Sequence, residues 1–341
     1  MTNIAIIGAG AWGTALAIIL ARKGEGGVRL WAYESEVRDS ILARRVNERF
    51  LSGFEVPPSV LATNSVAEAL AGAEIVVSVM PSHHCRSLFQ QMAPHLRPEM
   101  IFVSATKGIE NDTLLRMDEV IGQVVDAACH FAPRIGALSG PTFAREVVRG
   151  DPTALTIASP DAELACTVQQ EFSTPSFRIY TNEDIVGVGL GGALKNVIAI
   201  AAGVCDGLGL GHNTVAALIT RGLAEISRLA VAAGARPETM AGLAGMGDLV
   251  LTCTGGLSRN RTVGVELGRG RKLPDIIAGM HGMIAEGVLT ANATLGLARK
   301  LKVEMPITEQ IYHVLHEDKP PQDAIRDLMT RRPTAEVALY E

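Results

Sequence analysis

The chain is short of the features that would mark it as extracellular, metal-binding or nucleic-acid-binding. Its five cysteines, Cys85, Cys129, Cys166, Cys205 and Cys253, are odd in number and scattered. They form no CxxC pair and no Cys/His cluster, so they suggest neither a disulfide framework nor a zinc site. They read as reduced thiols of a cytoplasmic protein, and no metal is expected. Positive charge is not in excess. The formal net charge is −5, against the basic patch expected of a nucleic-acid binder. The opening residues, MTNIAIIGAG, carry no basic segment before their apolar run and do not read as a signal peptide. No internal repeat, low-complexity segment or charged tail stands out.

What is present is the make-up of a soluble globular protein: 341 residues, 48% hydrophobic and 20% charged. That length is more than one typical core holds, so two domains are expected. The most apolar stretch, 185–204, is long enough to span a membrane. Glycines and a central Lys195 interrupt it, so it reads as a buried helix, and no stable membrane insertion is expected.

Near-continuous apolar runs at 3–10, 28–33, 74–81, 100–108, 134–141, 153–159 and 177–182 read as strands. Helical stretches, 14–24 first, separate them. This pattern indicates a parallel sheet covered on both faces. After Asn182 the β-like signal stops. Helices are expected over 183–206, 213–234, 237–244, 258–270, 274–280, 286–301, 306–317 and 321–330. The shift in pattern places a domain boundary near residue 182.

In GAGAWG, Gly8, Gly10 and Gly13 stand in GxGxxG spacing, after a strand and before a helix. In that setting the glycines permit a tight turn, close approach of a pyrophosphate and close helix packing. The helix N-terminus adds free N–H groups and a positive dipole end. The first domain, 1–182, therefore reads as a Rossmann-like α/β domain with a mostly parallel sheet, and 183–341 as an all-helical substrate domain. At the end of the second strand stand Tyr33 and Glu34. A carboxylate there favours a ribose 2′-hydroxyl and an arginine a 2′-phosphate. Glu34 falls one residue late and no arginine is immediately present, so the choice between NAD and NADP stays open.

Several residues are suited to chemistry. Lys107 ends the strand IFVSATKG, where ligands of open α/β sheets bind. Gly140 and Thr142 end another strand. Lys195 lies in GLGGALKNVIAI, a greasy run where an unpaired ammonium is costly. A desolvated lysine exchanges protons near neutral pH. Its helical neighbours Gly191, Gly192 and Ala199 suggest a thin surface that admits a ligand. A lysine snorkelling from the helix edge fits the stretch alone equally well. In GMGDLVLTCTGGLSRNRTVG, Asp248 is suited to hold a buried lysine. Arg259, Asn260 and Arg261 suggest a fork for phosphate or carboxylate, with Ser258 capping the next helix. His83 and His84 receive no role.

Together the blocks GAGAWGTALA, VMPSHHCR, SATKGIE, SGPTFARE, ALKNVIAIAAG, GMGDLVLTCTGGLSRNR and IAEGVLT resemble bacterial glycerol-3-phosphate dehydrogenases, in the same order and over nearly the whole chain. The resemblance implies reversible hydride transfer between NAD(P)H and C2 of dihydroxyacetone phosphate, at a site between a Rossmann-like and a helical domain. It implies Lys195 as general acid/base, with Lys107 and Asp248 also catalytic. Lys107, Gly140, Thr142, Lys195, Asp248, Thr252, Ser258, Arg259 and Asn260 would contact or support the substrate. Gly8, Gly10, Ala11, Trp12, Gly13, Tyr33, Lys107, Ala144, Arg259, Ile284 and Glu286 would meet the cofactor. It also implies a homodimer. The chain departs from many relatives at Ala11, where they carry serine, and at Tyr33, where they carry arginine or histidine. The second departure puts a firm NADP preference in doubt. A ketopantoate reductase or 3-hydroxyacid dehydrogenase would share GxGxxG and a catalytic lysine or histidine, but would not require the Arg259/Asn260 fork.

Overall fold

The computed structural model describes residues 2–24, 26–280, 282–333, 335 and 336. The end of the expected second domain, 337–341, lies outside the described residues.

The sheet is built from short, mostly buried runs, most of them where the sequence leads one to expect strands. β1 (Ile4–Ile7), β2 (Val28–Trp31), β3 (Val46–Asn47), β4 (Leu51–Glu55), β5 (Val60–Thr63), β6 (Ile75–Ser78), β7 (Ile101–Ser104), β8 (Arg134–Ser139), β9 (Thr153–Ala158) and β10 (Phe177–Asn182) follow one another along the chain. Eight of them form one sheet in the order β10-β9-β8-β7-β6-β1-β2-β5. The strands β5, β2, β1, β6, β7 and β8 are mutually parallel. The chain winds outward from β1 in both directions, which opens a crevice between the carboxyl ends of β1 and β6.

Two features depart from the sequence reading. β8 and β9 pair antiparallel, with Ser139 opposite Thr156. A parallel return needs a long crossover, and this link holds only the six-residue helix Ala144–Arg149. The edge strand β5 and the β3–β4 hairpin had no clear signal. β5 is four residues long and exposes Leu61. The hairpin supports the glycine loop: buried Asn47 donates its Nδ2 hydrogens to Ala9 O and Thr14 Oγ1, both at 2.8 Å.

No strand follows Asn182 among the described residues. The helix Ile185–Gly207 starts at Asp184, whose carboxylate accepts from Gly187 N at 2.8 Å, a standard N-cap bond. It runs through the middle of the second hydrophobic core, with Leu194, Val197, Ile198 and Ile200 almost wholly buried. Each such side chain contributes about 1.5–3 kcal/mol. The helix is long and apolar enough to cross a membrane, yet 83% of its most apolar window is buried inside the protein.

The glycines of this helix serve packing, and this corrects the thin-surface expectation. A Cβ on Gly191 would lie 2.7 Å from Ala244 O, and one on Gly192 would lie 2.4 Å from Ser139 Oγ. Protein, not open space, fills both positions. Further along, a Cβ on Gly203 would lie 2.0 Å from Arg261 O, so the helix Arg259–Gly268 packs almost backbone to backbone.

Candidate active site

The glycine loop leads from β1 into the helix Ala11–Lys23 at the crevice. Each glycine has a different reason to be one. Gly8 has φ +124°, and a Cβ there would lie 2.8 Å from Val79 O of the adjoining loop. A Cβ on Gly13 would lie 1.9 Å from Gly8 O, so helix and strand could not approach. Gly10 faces open space, with nothing within 4 Å of its Cβ position. No side chain caps the helix, which leaves its first N–H groups to an anion. These features fit a dinucleotide pyrophosphate. Ala11 and Trp12 form the first turn of the helix, and Trp12 Nε1 is buried with no partner among the described residues. Tyr33, just past β2, is 81% exposed. Glu34 starts the helix Ser35–Arg44. Arg38 pairs with Asp39 at 2.6 Å.

Segments far apart in sequence converge on Asp248. Its carboxylate, 1% exposed, accepts from Lys195 Nζ at 2.9 Å on one oxygen and from Lys107 Nζ at 2.7 Å on the other. Lys195 Nζ also donates to Thr252 Oγ1 at 2.7 Å. Lys107 Nζ reaches Gly140 O at 3.1 Å, and Thr142 Oγ1 donates to the same carbonyl at 3.2 Å. Asp248 and Thr252 share one face of the helix Asp248–Thr254 at i, i+4 spacing. That helix had no clear signal in a stretch dense with glycine and polar residues. It follows the π-helical turn Leu243–Gly247, which packs against Gly191.

One buried anion thus serves two cations, Lys195 buried and Lys107 partly exposed. Burial lowers the Lys195 pKa from its ordinary value to about 8, against the pull of Asp248 and with help from Lys107. Burial pushes the Asp248 pKa up, but the two lysines outweigh it and hold the carboxyl below its usual range.

The expected phosphate fork is only partly as the sequence suggests. Ser258 Oγ accepts from Arg261 N at 3.2 Å and caps the helix Arg259–Gly268. Arg261 is turned away to Asp206 at 3.0 Å. Asn260 bridges Asn196 Oδ1 and Gly287 N, each at 2.9 Å. Of the three fork residues, Arg259 alone keeps a guanidinium with no hydrogen bond or ion pair among the described residues. Dense surrounding protein lowers its pKa, and the Glu286 carboxylate opposes that shift.

Ala144 opens the helix that follows Thr142. Ile284 is half-buried ahead of Glu286, the first residue of the helix Glu286–Leu301. Asn196 and Ser82 were not singled out by sequence. Asn196 is 4% exposed beside Lys195, and a buried amide in an apolar helix requires a partner. Ser82 gives no such signal.

A dinucleotide-type sheet with a glycine loop at its switch point, together with a buried lysine of a helical half and a second lysine at a strand end that share one aspartate, is the build of a nicotinamide-nucleotide dehydrogenase. Comparison with known proteins narrows the class. Residues 3–165 match the family model described as NAD-dependent glycerol-3-phosphate dehydrogenase N-terminus, and residues 184–326 match the C-terminus of the same family. The chain is 68% identical over 339 residues to glycerol-3-phosphate dehydrogenase (NAD(P)+) of Koribacter versatilis, covering 99% of this chain and 100% of that one. It is 58% identical to the protein of that name from Geobacter sulfurreducens, over 98% of each chain. The crystal structure of glycerol-3-phosphate dehydrogenase from Coxiella burnetii superposes with a TM-score of 0.92 at 39% identity, covering 97% of this chain and 99% of that chain. The chain belongs to the NAD-dependent glycerol-3-phosphate dehydrogenase family.

Proposed function

We propose that Lys195 moves the proton in this oxidoreductase's reaction, the reversible reduction of dihydroxyacetone phosphate to sn-glycerol 3-phosphate with NAD or NADP. The observation that carries this role is the convergence of Lys195 and Lys107 on the buried Asp248 carboxylate. The bound nicotinamide supplies or accepts the hydride at C2. Lys195 gives its proton to the C2 oxygen in reduction and takes it back in oxidation, as a general acid and base. Asp248 and Thr252 aim the Lys195 amine. Lys107 adds a second positive charge for the developing alkoxide. Arg259, with its uncommitted guanidinium, and the N-terminus capped by Ser258 hold the phosphate, whose binding orients the distant ketone. Asn260 acts beside them as a strut. The glycine loop with Ala11, Trp12, Tyr33, Ala144, Ile284 and Glu286 forms the cofactor side. In this reading residues 1–182 are the dinucleotide domain and 183–341 the substrate domain.

The pH dependence tests the proton role, and its sign differs by direction. Reduction needs the ammonium form of Lys195. Its kcat/KM is expected to fall as pH rises through about 8. Oxidation needs the free amine, so its kcat/KM is expected to rise through the same range. Steady-state rates in both directions from pH 6 to 10 check this. Parallel profiles in the two directions would remove Lys195 from the role.

A homodimer in the cytoplasm completes the proposal. Sedimentation equilibrium is expected to give twice the 36.0 kDa chain mass. A single-chain mass at micromolar concentration would exclude the dimer.

A further inference from the structure

Three segments meet where the sheet half touches the helical half. The turn after β6 contributes Ser82, 3% exposed. The loop after β7 contributes Gly108, next to Lys107. The helix Glu286–Leu301 contributes its first residue, Glu286. Ser82 holds both oxygens of that carboxylate: its backbone N–H donates to Oε1 at 3.1 Å and its hydroxyl to Oε2 at 2.6 Å. The fit depends on Gly108. A Cβ there would lie 2.4 Å from Ser82 Cβ, 2.6 Å from its Oγ and 3.2 Å from Glu286 Oε2. The turn carrying Ser82 also borders the glycine loop, because Val79 O is the atom that excludes a side chain from Gly8.

We propose that Ser82 is a positioning residue: with Gly108 making room, it clasps Glu286 across the two halves and fixes that carboxylate at the lip of the dinucleotide crevice. The proposal rests on the reading that Glu286 meets the cofactor. A carboxylate on a helix end has several rotamers, and a single recognition geometry requires that they be reduced to one. Two donors from one residue do this. The second donor is a hydroxyl, so it can be removed with little change in volume.

The charge state of Glu286 supplies a readout that mere packing would not move. Burial raises its pKa, while the two Ser82 bonds, the Arg259 guanidinium and His84 lower it. Removing the hydroxyl therefore raises it further. The affinity that depends on the carboxylate is then lost at a higher pH on acidification.

The experiment is NADH binding to the full chain without substrate, read by fluorescence, for wild type, Ser82→Ala, Glu286→Ala and the double variant. Ser82→Ala is expected to raise Kd roughly tenfold, the effect of one lost hydrogen bond to a charged group. It should move the acid limb of binding upward in pH, and leave kcat at saturating cofactor within about twofold. The double variant should bind no more weakly than Glu286→Ala, since both act through one carboxylate. If Glu286→Ala weakens binding and Ser82→Ala does not, the clasp is wrong and the cofactor role of Glu286 stands. If neither does, that role falls and the clasp with it. Gly108→Ala pushes Ser82 aside without removing a polar atom and guards against a folding failure of Ser82→Ala. It is expected to raise Kd similarly, and an unchanged Kd would also overturn the clasp.

Discussion

Lys195→Ala is expected to lower kcat for ketone reduction by roughly 10²–10⁴, the usual worth of a positioned general acid, while NADH binding stays within about twofold of wild type. The amine is carried by the helix Ile185–Gly207, a different element from the glycine loop and the helix Ala11–Lys23, so its loss removes no residue of that loop. The rest of the site also survives on geometric grounds. Asp248 keeps its bond from Lys107 at 2.7 Å, and Thr252 keeps its bond to Asp248 O at 2.7 Å. The carboxylate therefore stays paired, and the truncation removes one proton donor instead of collapsing a network. Steady-state kinetics with a parallel NADH titration check the result. Near-normal turnover in a folded variant would refute the proton-transfer role. A loss confined to KM would recast Lys195 as a binding group.

Asp248→Asn is expected to cost more than activity. The carboxylate is the only anion bonded to either lysine among the described residues. An amide of the same shape keeps one acceptor oxygen but turns N–H donors toward an ammonium. Two cations then face each other in a buried site. Breaking a buried pair by removing one partner costs about 3–5 kcal/mol, and a loss of that order in denaturant-measured stability is the first expected outcome. The second concerns pH. Asp248 raises the Lys195 pKa and Lys107 lowers it. Neutralising the aspartate removes the main influence that opposes burial and Lys107, so the amine loses its proton below the wild-type pKa of about 8. The reductive limb should move to lower pH, and the rate of reduction at pH 8 should fall. Denaturant melts and a pH–rate profile check the two parts separately. A variant with unchanged stability and an unchanged profile would show that the shared carboxylate is not what holds the lysines.

The elements most legible in sequence were those with strong local signals. The runs behind β1, β2, β6, β7, β8 and β9 could be read because both faces of a covered sheet are largely apolar, whereas the edge strand β10 alternates buried and exposed residues. GAGAWG could be read because its glycine spacing sits between a strand and a helix; Gly8 and Gly13 meet steric demands of the fold, while Gly10 faces open space. β5 and the β3–β4 hairpin were not legible. They are short, part of their surface is exposed, and Asn47 is explained only by the loop it supports. The helix Asp248–Thr254 was hidden because LVLT among glycines fits a loop as well as a helix; the contact of its π-turn with Gly191 is tertiary.

Lys195 shows where the division lies. Its presence in an apolar, glycine-rich run was evident from the letters alone, as was the need for a counter-charge, because burying an ammonium without one is costly. The order of motifs along the chain determined the family, the kind of sheet and the class of cofactor. Tertiary structure decided which atoms meet. One aspartate serves two lysines that lie 53 and 141 residues from it in the chain. Gly191 and Gly192 admit a turn and a serine, not a ligand. Arg261 spends its charge on Asp206 while Arg259 stays uncommitted. The physical reason is common to all three. Composition and periodicity record whether a side chain is buried, whereas its partner depends on how distant segments pack.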